Sequence, residues 1–339
     1  MANDADLVIV GAGPCGLAAA VSAQRAGLKP LVIESGVVVS TIASYPTYTR
    51  FFSTAEKLTI GELPFVIATE KPTRRDALAY YRAVVNYFRI PLRQREKVVA
   101  IRGKVDDFTV VSVTAAGEEV LTRAGAVVIA TGYFGSPNRI GVPGENLPHV
   151  THIYHEGHEA FLQDVVVVGG GNSAAEAALD LWRSGARVTL VHFGPTFDKK
   201  IKPWVLPDFT NRVKEKQIQV CWESRVKEIY PDGVLLTTPN GELRLKADRL
   251  YIMTGFAPSL DLLRESGVQI DPKTGIPAHN SDTLETMVPG LFIAGVVVAG
   301  YDANKVFIEN GRYHGDRIVA RLLGQRAPAE PRLSAELDT

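Results

Sequence analysis

Three glycines near the N-terminus have the spacing that most clearly indicates chemistry. Gly11, Gly13 and Gly16 form the pattern G-x-G-x-x-G; a short apolar run precedes them, and an alanine-rich stretch ended by Gly27 follows. This order predicts a buried strand, a tight turn and a helix. In such a unit the first glycine permits the turn, the second lets a pyrophosphate approach the backbone, and the third lets helix and strand pack closely. The phosphates then lie at the helix N-terminus.

An acidic residue completes this unit. Glu34 follows the next apolar run, residues 30–33, at a position where a carboxylate can accept a hydrogen bond from a ribose hydroxyl. The glycines alone are also compatible with an ordinary tight turn in an α/β domain. The full series of strand, loop, helix, strand and acid predicts a dinucleotide-binding site in residues 7–34.

A second unit of the same kind begins at residue 165. An apolar run at 165–168 leads into Gly169, Gly171 and Ala174, which have the spacing G-x-G-x-x-A. A second alanine-rich stretch follows, Gly185 ends it, and residues 187–191 form the next predicted strand. Two such motifs in matching contexts predict two dinucleotide-binding units.

The second unit lacks the acid. Its second strand ends in His192, and Lys199, Lys200 and Lys202 follow in the next loop. An acid would repel a 2′-phosphate, whereas cations would attract it, so this unit is predicted to bind NADP(H). The alternative is that the lysines belong to a solvated surface loop.

The bulk composition limits the possible classes of protein. The 339 residues are enough for two domains, and 37 basic residues balance 37 acidic ones, which gives no reason to expect nucleic acid or an anionic membrane as partner. Cys15 and Cys221 are the two cysteines, too few for a disulfide-rich scaffold, and Cys221 is interpreted as a buried structural thiol. Neither a signal peptide nor a membrane span is expected. A cytoplasmic protein is predicted.

Other elements must position the two loops. Thr73 is a predicted N-cap for an amphipathic helix to about Phe88. Alternating runs at 97–102, 108–113 and 119–123 predict a meander, and residues 126–131 a separate buried strand ended by Gly132. Asn240 and Gly241 predict a hairpin turn. Residues 290–300 predict a strand and a glycine turn, with a helix continuing to about Leu323.

Four histidines lie in a segment rich in glycine and proline between the two units. His149, His152, His155 and His158 recur every three residues. No cluster of acids or cysteines completes a metal site, and the segment has no helical frame on which the rings could converge. No metal is therefore expected.

Together these motifs resemble a known family. The chain is similar to the thioredoxin-reductase-like flavoproteins without a separate dimerisation domain, and among them to the bacillithiol disulfide reductases (YpdA type). The resemblance covers nearly the whole chain, and its most specific stretches are GAGPCG at 11–16, SYPTYTRFFST at 44–54, PFVIATEKPTR at 64–74, ATGYF at 130–134, KIKPWVLPD at 200–208 and FIENGRYHG at 307–315.

The resemblance implies an α/β fold with two Rossmann-like domains, the NADPH domain (138–258) being inserted into the FAD domain (1–137 and 259–339). It implies FAD contacts for Gly11, Gly13, Gly16 and Glu34, and the predicted FAD site further includes Pro14, Cys15, Ser35, Val99, Thr131, Gly132, Gly295, Lys305 and Phe307. It implies NADPH contacts for Gly169, Gly171, Asn172 and Ser173, and the predicted NADPH site further includes Glu176, His192, Lys199, Lys200, Lys202 and Gly255.

The activity implied is NADPH-dependent reduction of a low-molecular-weight disulfide, bacillithiol disulfide, by way of FAD. A bacilliredoxin-type protein is a further possible partner in the same pathway, and a homo-oligomer is expected. Two other enzyme classes stay open as alternatives. A flavin monooxygenase would carry a linker motif of which only His152 matches here, Leu147 and His149 standing at its Phe and Gly positions. A ferredoxin– or flavodoxin–NADP reductase would need no thiol.

The chain also departs from thioredoxin reductases. It has no C-x-x-C, Val296 stands where many relatives have an Asp after Gly295, and Phe193 stands where arginines follow the histidine. Lys305 falls where relatives place a polar group near the flavin pyrimidine ring, and a cation there would stabilise the anionic reduced flavin.

Cys15 then has two possible roles. At a helix N-terminus the dipole would lower the thiol pKa and favour a thiolate, which makes Cys15 a candidate catalytic residue. Alternatively it is a small residue that fits the turn, since the loop faces the pyrophosphate and the reacting ring lies on the order of 10 Å away.

Overall fold

The computed structural model describes residues 3–197 and 201–327, which form two compact units. Of the described residues, the first unit takes 3–43, 50–135 and 258–327, and the second takes 44–49, 136–197 and 201–257. The sequence placed 44–49 in the first domain. They group with the second unit because the Thr47 N–H donates to the His155 carbonyl oxygen at 2.9 Å and the Thr47 hydroxyl donates to Glu156.

Strands and α-helices account for about half of the described residues. The strands are β1 (Ala5–Val10), β2 (Pro30–Glu34), β3 (Leu92–Gln94), β4 (Glu96–Lys104), β5 (Asp107–Thr114), β6 (Glu119–Ile129), β7 (Ser136–Pro137), β8 (Val150–Thr151), β9 (Asp164–Val168), β10 (Arg187–Val191), β11 (Ile218–Cys221), β12 (Arg225–Tyr230), β13 (Gly233–Thr238), β14 (Gly241–Lys246), β15 (Arg249–Ile252), β16 (Phe256–Ala257) and β17 (Leu291–Ile293). The helices are α1 (Pro14–Arg25), α2 (Ser40–Ala43), α3 (Arg74–Phe88), α4 (Asn172–Arg183), α5 (Leu206–Lys214), α6 (Asp261–Glu265), α7 (Ile308–Gly311) and α8 (His314–Leu322).

The first unit is built on a mixed sheet. Strands β3, β2, β1 and β6 run parallel in that order, and β17 pairs in parallel with β6. The apolar runs that predicted β1 and β2 are buried in this sheet, as parallel strands covered on both faces require. The carboxyl ends of β1 and β2 carry the first glycine loop and Glu34, which confirms the predicted strand–loop–helix–strand unit.

The prediction of two separate strands at 119–123 and 126–131 was wrong. A single strand, β6, covers 119–129, antiparallel to β5 in its first half and parallel to β1 in its second, and it ends two residues before the predicted end. Ala124 lies opposite both Phe108 and Ala5, so the partner changes at this residue without a break in the backbone. The first half of β6 alternates between buried and exposed residues, whereas its last residues, beside β1, are all buried. The sequence pattern therefore changes within one strand, because the partner strand changes.

Helix α3 begins as predicted. The Thr73 hydroxyl accepts from the Asp76 N–H at 3.2 Å, and the Asp76 carboxylate accepts from the Thr73 N–H at 2.9 Å, a reciprocal capping box. The helix ends at Phe88, and Tyr81 and Val84 are buried on its inner face. This helix packs beside α1 and α2 in the first unit.

The second unit has a five-stranded parallel sheet in the order β11, β10, β9, β15, β8. Its other strands form an antiparallel sheet of β12, β13 and β14 and a short pair of β7 and β16. The predicted hairpin of β13 and β14 is present, but its two-residue turn is Pro239 and Asn240, one residue earlier than predicted, because Gly241 already pairs with Thr238 as the first residue of β14. Helix α5 was not predicted, because Pro203 precedes it and Pro207 lies within it, and proline usually argues against a helix. Pro207 is nevertheless compatible with α5, since it lies in the first turn, where proline is tolerated.

The C-terminal part of the first unit contains more separate elements than predicted. A 3₁₀ turn at Gly295–Ala299 follows β17, and two helices, α7 and α8, come before Leu323. Helix α8 packs on α1 so closely that a Cβ on Gly315 would lie 2.5 Å from the Ala19 Cα. None of the helices in the described ranges is long and apolar enough to cross a bilayer.

Two candidate dinucleotide-binding loops

The first glycine loop has the geometry that its spacing predicts. Gly11 has a φ of +110°, and a Cβ there would lie 2.5 Å from the Ala130 carbonyl oxygen. A Cβ on Gly16 would lie 2.0 Å from the Gly11 carbonyl oxygen. Both positions therefore require glycine for the fold itself: one for the left-handed turn and one for the contact of α1 with the turn.

Gly13 is a glycine for a different reason. It is the N-cap of α1 with an ordinary extended backbone, and a Cβ there would meet no atom within 4 Å. No side chain caps the helix at this end. A Cβ on Gly132, three residues after β6, would likewise meet no atom within 4 Å. The protein itself thus leaves room beside an uncapped helix N-terminus, which is the environment that a phosphate group favours.

Glu34 holds this loop together. Its buried carboxylate accepts from the Ala12 N–H at 2.8 Å, from the Gly36 N–H at 2.8 Å and from the Ser40 hydroxyl at 3.2 Å. Ser35 lies beside it, exposed, with its hydroxyl 3.4 Å from the same carboxylate. Gly36, Ser35 and Ser40 share its Oε1, whereas among the described residues Oε2 accepts from the Ala12 N–H alone. A carboxylate oxygen has two lone pairs, so Oε2 can still accept from a ribose hydroxyl.

Cys15 packs against two other glycines of the first unit, Gly295 and Gly311. A Cβ on Gly295 would lie 3.3 Å from its Sγ, and a Cβ on Gly311 would lie 2.7 Å from it. Burial raises the pKa of the Cys15 thiol to about 12. The expectation of a lowered thiol pKa was therefore wrong, because desolvation of the thiolate outweighs the effect of the helix N-terminus.

His314 was missed by the reading of the sequence, although it lies within the FIENGRYHG stretch. Its Nδ1 accepts from the Gly295 N–H at 3.0 Å, and the ring is buried. Burial, aided by Arg317 and His279, lowers the pKa of His314 to about 4. The neutral ring thus fixes the glycine turn that lies on Cys15, where Gly295 has a φ of +77°. No local pattern marks such a histidine, since its partner is distant in sequence.

This arrangement predicts a pH-dependent loss of stability. Below its ordinary pKa of 6.5 the unfolded chain binds a proton at His314 that the native chain does not bind until about pH 4, so the free energy of unfolding falls as the pH falls. Between pH 7 and pH 5 this histidine should contribute a loss of about 2 kcal/mol. Urea unfolding with excess FAD should show that loss in the wild type and not in His314→Asn, whose amide oxygen can still accept from Gly295. Equal pH dependence in both proteins would contradict the assignment.

The other proposed FAD contacts lie in the same unit. Lys305 is exposed, with its Nζ 3.8 Å from the Asp302 carboxylate, and Phe307 is the half-exposed N-cap of α7. Val99 is the exposed residue of a β-bulge in β4, and Thr131 is exposed beside Gly132. Among the residues proposed for FAD that are distant in sequence, the structure brings Cys15 close to Gly295 and Gly11 close to Thr131.

The second glycine loop repeats the first. Gly169 has a φ of +147°, and a Cβ there would lie 2.4 Å from the Met253 carbonyl oxygen and 3.1 Å from the Ala174 Cβ. Gly171 is the N-cap of α4, no side chain caps the helix, and a Cβ on Gly171 would meet nothing within 4 Å. The second unit therefore also leaves open space at an uncapped helix N-terminus. Ser173 is exposed on the first turn of this helix.

Lys202 already forms an ion pair within the protein. Its Nζ lies 2.8 Å from the Glu176 carboxylate, and its backbone N–H donates to the Asn172 side chain at 2.7 Å. Lys199 and Lys200 lie outside the described residues. Gly255, with a φ of +87°, accepts from the Asn138 N–H through its carbonyl oxygen at 2.9 Å. Three proposed NADPH contacts, Asn172, Glu176 and Lys202, thus meet at the start of α4.

The other titratable groups of the described residues do not form a metal site. Within 3–197 and 201–327 no three His, Cys, Asp or Glu side chains are grouped as metal ligands. The pKa of Cys221, half-buried in β11 of the second unit, is raised by burial.

Comparisons with known proteins agree with this geometry. Residues 8–295 match the family model described as pyridine nucleotide-disulphide oxidoreductase. Bacilliredoxin reductase Bdr of Bacillus subtilis (strain 168) is 45% identical over 316 residues, which are 93% of this chain and 96% of that protein. The structure titled bacillithiol disulfide reductase Bdr (YpdA) from Bacillus cereus has a TM-score of 0.91 at 44% identity, covering 94% of this chain and 99% of that one.

A more distant structure shows the breadth of the fold. Thioredoxin reductase of T. acidophilum has a TM-score of 0.72 at 23% identity, covering 95% of this chain and 99% of that one. The predicted thioredoxin-reductase-like α/β fold is therefore confirmed.

Proposed function

The chain belongs to the pyridine nucleotide-disulphide oxidoreductase family, and we propose that it is an NADPH-dependent reductase of bacillithiol disulfide that works through FAD. The observation that carries this proposal is the 45% identity to a bacilliredoxin reductase over nearly the full length of both chains. The family implies a flavin and a nicotinamide nucleotide. We propose that the flavin is FAD, that the nicotinamide nucleotide is NADPH and that the electron acceptor is bacillithiol disulfide.

The first loop fits FAD. A Cβ on Gly13 or on Gly132 would meet no protein atom within 4 Å, and the first turn of α1 has no side-chain cap. Its N–H groups can therefore stabilise the pyrophosphate charge, while Glu34 orients a ribose. By the same reasoning Gly171 and the uncapped start of α4 receive the phosphates of NADPH.

FAD held by the first glycine loop and Glu34 would supply the two-electron chemistry between the reduced nicotinamide and a disulfide. The overall reaction consumes NADPH, one proton and the disulfide, and it yields NADP⁺ and two thiols. Within this reaction the first unit binds and orients the flavin. The absence of C-x-x-C from the sequence excludes the dithiol relay of thioredoxin reductases, so no pair of neighbouring cysteines in this chain carries the electrons.

We propose the packing role for Cys15. Support comes from its place under Gly295 and Gly311 and from the raised pKa of its thiol, which disfavours the nucleophilic thiolate. We expect Cys15→Ala to keep FAD and disulfide reductase activity, with a loss of stability of about 1 kcal/mol. Steady-state turnover and flavin content measure this. A fall in kcat of about a thousandfold or more with full FAD occupancy would instead assign Cys15 the catalytic role.

The proposed reaction can be tested in half-reactions without oxygen. NADPH should bleach the flavin absorbance of the holoprotein, and bacillithiol disulfide should restore it. Restoration by a ferredoxin but not by the disulfide would favour the ferredoxin–NADP reductase alternative. Restoration by oxygen alone, with hydroxylation of an added substrate, would favour the monooxygenase. A bacilliredoxin partner and a homo-oligomer stay predictions.

A further inference from the structure

The carboxyl end of β10 is the position where a dinucleotide-binding unit distinguishes NADPH from NADH, because the adenosine ribose lies there. We propose that Arg225 binds the 2′-phosphate of NADPH and sets the selectivity for NADPH over NADH. This inference rests on the proposed use of NADPH. It assigns to Arg225 the charge that was expected of Lys202, which is paired with Glu176; Lys199 and Lys200 lie outside the described residues.

His192 itself is enclosed. A Cβ on Gly170 would lie 2.1 Å from its Cε1, and a Cβ on Gly194 would lie 2.7 Å from its Nε2, so the ring is packed between the two glycine backbones. The side chain is 7% exposed. The histidine therefore shapes the end of β10, and the charged contact with a 2′-phosphate must come from a neighbour.

Arg225 is that neighbour. Its guanidinium lies 4.9 Å from the ring centroid of Phe193, which directly follows His192 and is 63% exposed. The backbone holds the two segments together: the Ser224 N–H donates to the His192 carbonyl oxygen and the Glu223 N–H to the Gly194 carbonyl oxygen, both at 3.0 Å. Arg225 is thus fixed beside the strand end by hydrogen bonds on its own segment.

The second unit contains two other stacked arginines that serve as comparisons. Arg244 lies 4.8 Å from the Tyr230 ring centroid and pairs with Asp232 at 3.0 Å. Arg212 lies 4.9 Å from the Trp182 ring centroid and pairs with Asp208 and Glu215. Arg225 forms no ion pair with a carboxylate of the described residues. Its charge is available to an anionic ligand, whereas the other two are satisfied within the protein.

Lys202 is a weaker candidate than Arg225. Its ammonium group lies 2.8 Å from Glu176, so binding a phosphate would require breaking that ion pair or bringing the phosphate close to a carboxylate. A guanidinium stacked on an aromatic face keeps its N–H edge free and matches two phosphate oxygens at once. Arg225 has that arrangement.

The test compares two nucleotides that differ only in the 2′-phosphate. We expect Arg225→Ala to lower kcat/KM for NADPH by about 10- to 100-fold through KM, with kcat/KM for NADH unchanged, which corresponds to the loss of a charge-assisted hydrogen-bonded contact. Arg244→Ala, which removes an equally stacked but paired arginine, should change neither. Arg225→Lys should restore only part of the selectivity because the bidentate geometry is lost.

Inhibition by adenosine fragments gives a second readout. The wild type should bind adenosine 2′,5′-bisphosphate more tightly than adenosine 5′-monophosphate, and Arg225→Ala should bind the two alike. Retained preference for NADPH and for the bisphosphate in Arg225→Ala would overturn the inference. Both comparisons follow flavin reduction without a disulfide, so a failure of bacillithiol disulfide as acceptor leaves them intact. A wild type that uses NADH as well as NADPH would overturn both the proposed donor and this inference.

Discussion

Gly13→Ala should give a folded protein that has lost most of its flavin. A Cβ at this position meets no protein atom within 4 Å, and the backbone there is extended, so the substitution costs the empty protein little. The added methyl group instead occupies the space where the pyrophosphate approaches the helix N-terminus. Overpacking of this kind costs about 1–3 kcal/mol, which weakens FAD binding by about 10- to 100-fold. Flavin content after purification and titration of the apoprotein with FAD measure the effect.

Gly16→Ala is the contrasting variant for this prediction. A Cβ on Gly16 would lie 2.0 Å from a backbone oxygen of the turn, so this change should destabilise the protein even without flavin. Thermal unfolding of the two apoproteins separates the effects: Gly16→Ala should unfold at lower temperature, and Gly13→Ala should match the wild type. Full flavin content in a stable Gly13→Ala protein would show that the loop does not hold the pyrophosphate.

Gly171→Ala should produce the reciprocal defect in the second unit. Its Cβ also meets nothing within 4 Å at the uncapped start of α4, so fold and flavin content should stay unchanged. The methyl group should interfere with the phosphates of NADPH and raise KM for NADPH by about 10- to 100-fold. Because NADPH reduces the bound flavin, stopped-flow bleaching at several NADPH concentrations measures the loss directly.

The two alanine variants control for each other. Gly13→Ala should lose FAD, and after saturation with FAD it should bind NADPH normally. Gly171→Ala should keep FAD and bind NADPH weakly. The opposite pattern would exchange the two nucleotide assignments, and loss of both nucleotides in either variant would point to unfolding rather than to a local clash.

Local spacing was sufficient to predict much of this molecule. The two glycine loops follow from the spacing at Gly11 and Gly169, and the start of α3 follows from Thr73 as N-cap, to which the structure adds Asp76. Each of these features depends on residues within one turn or one strand–helix junction. Such short-range patterns are written directly in the sequence.

Features that depend on distant partners could not be predicted in this way. The pairing of Lys202 with Glu176 joins a loop to a helix, and the close approach of Gly295 and Gly311 to Cys15 involves residues near the other end of the chain. The thiol pKa was misjudged for this reason, since the helix N-terminus is visible in sequence and the burial is not. Arg225 was overlooked because its proximity to Phe193 depends on the pairing of segments 192–194 and 222–225.

One assay tests the central proposal most directly: NADPH oxidation and thiol release measured together, without oxygen, with bacillithiol disulfide as acceptor. The proposed function predicts two thiols formed for each NADPH consumed, with glutathione disulfide and ferredoxin as poorer acceptors in parallel reactions. Rapid NADPH oxidation with ferredoxin, or with oxygen once it is admitted, while bacillithiol disulfide stays intact would contradict it.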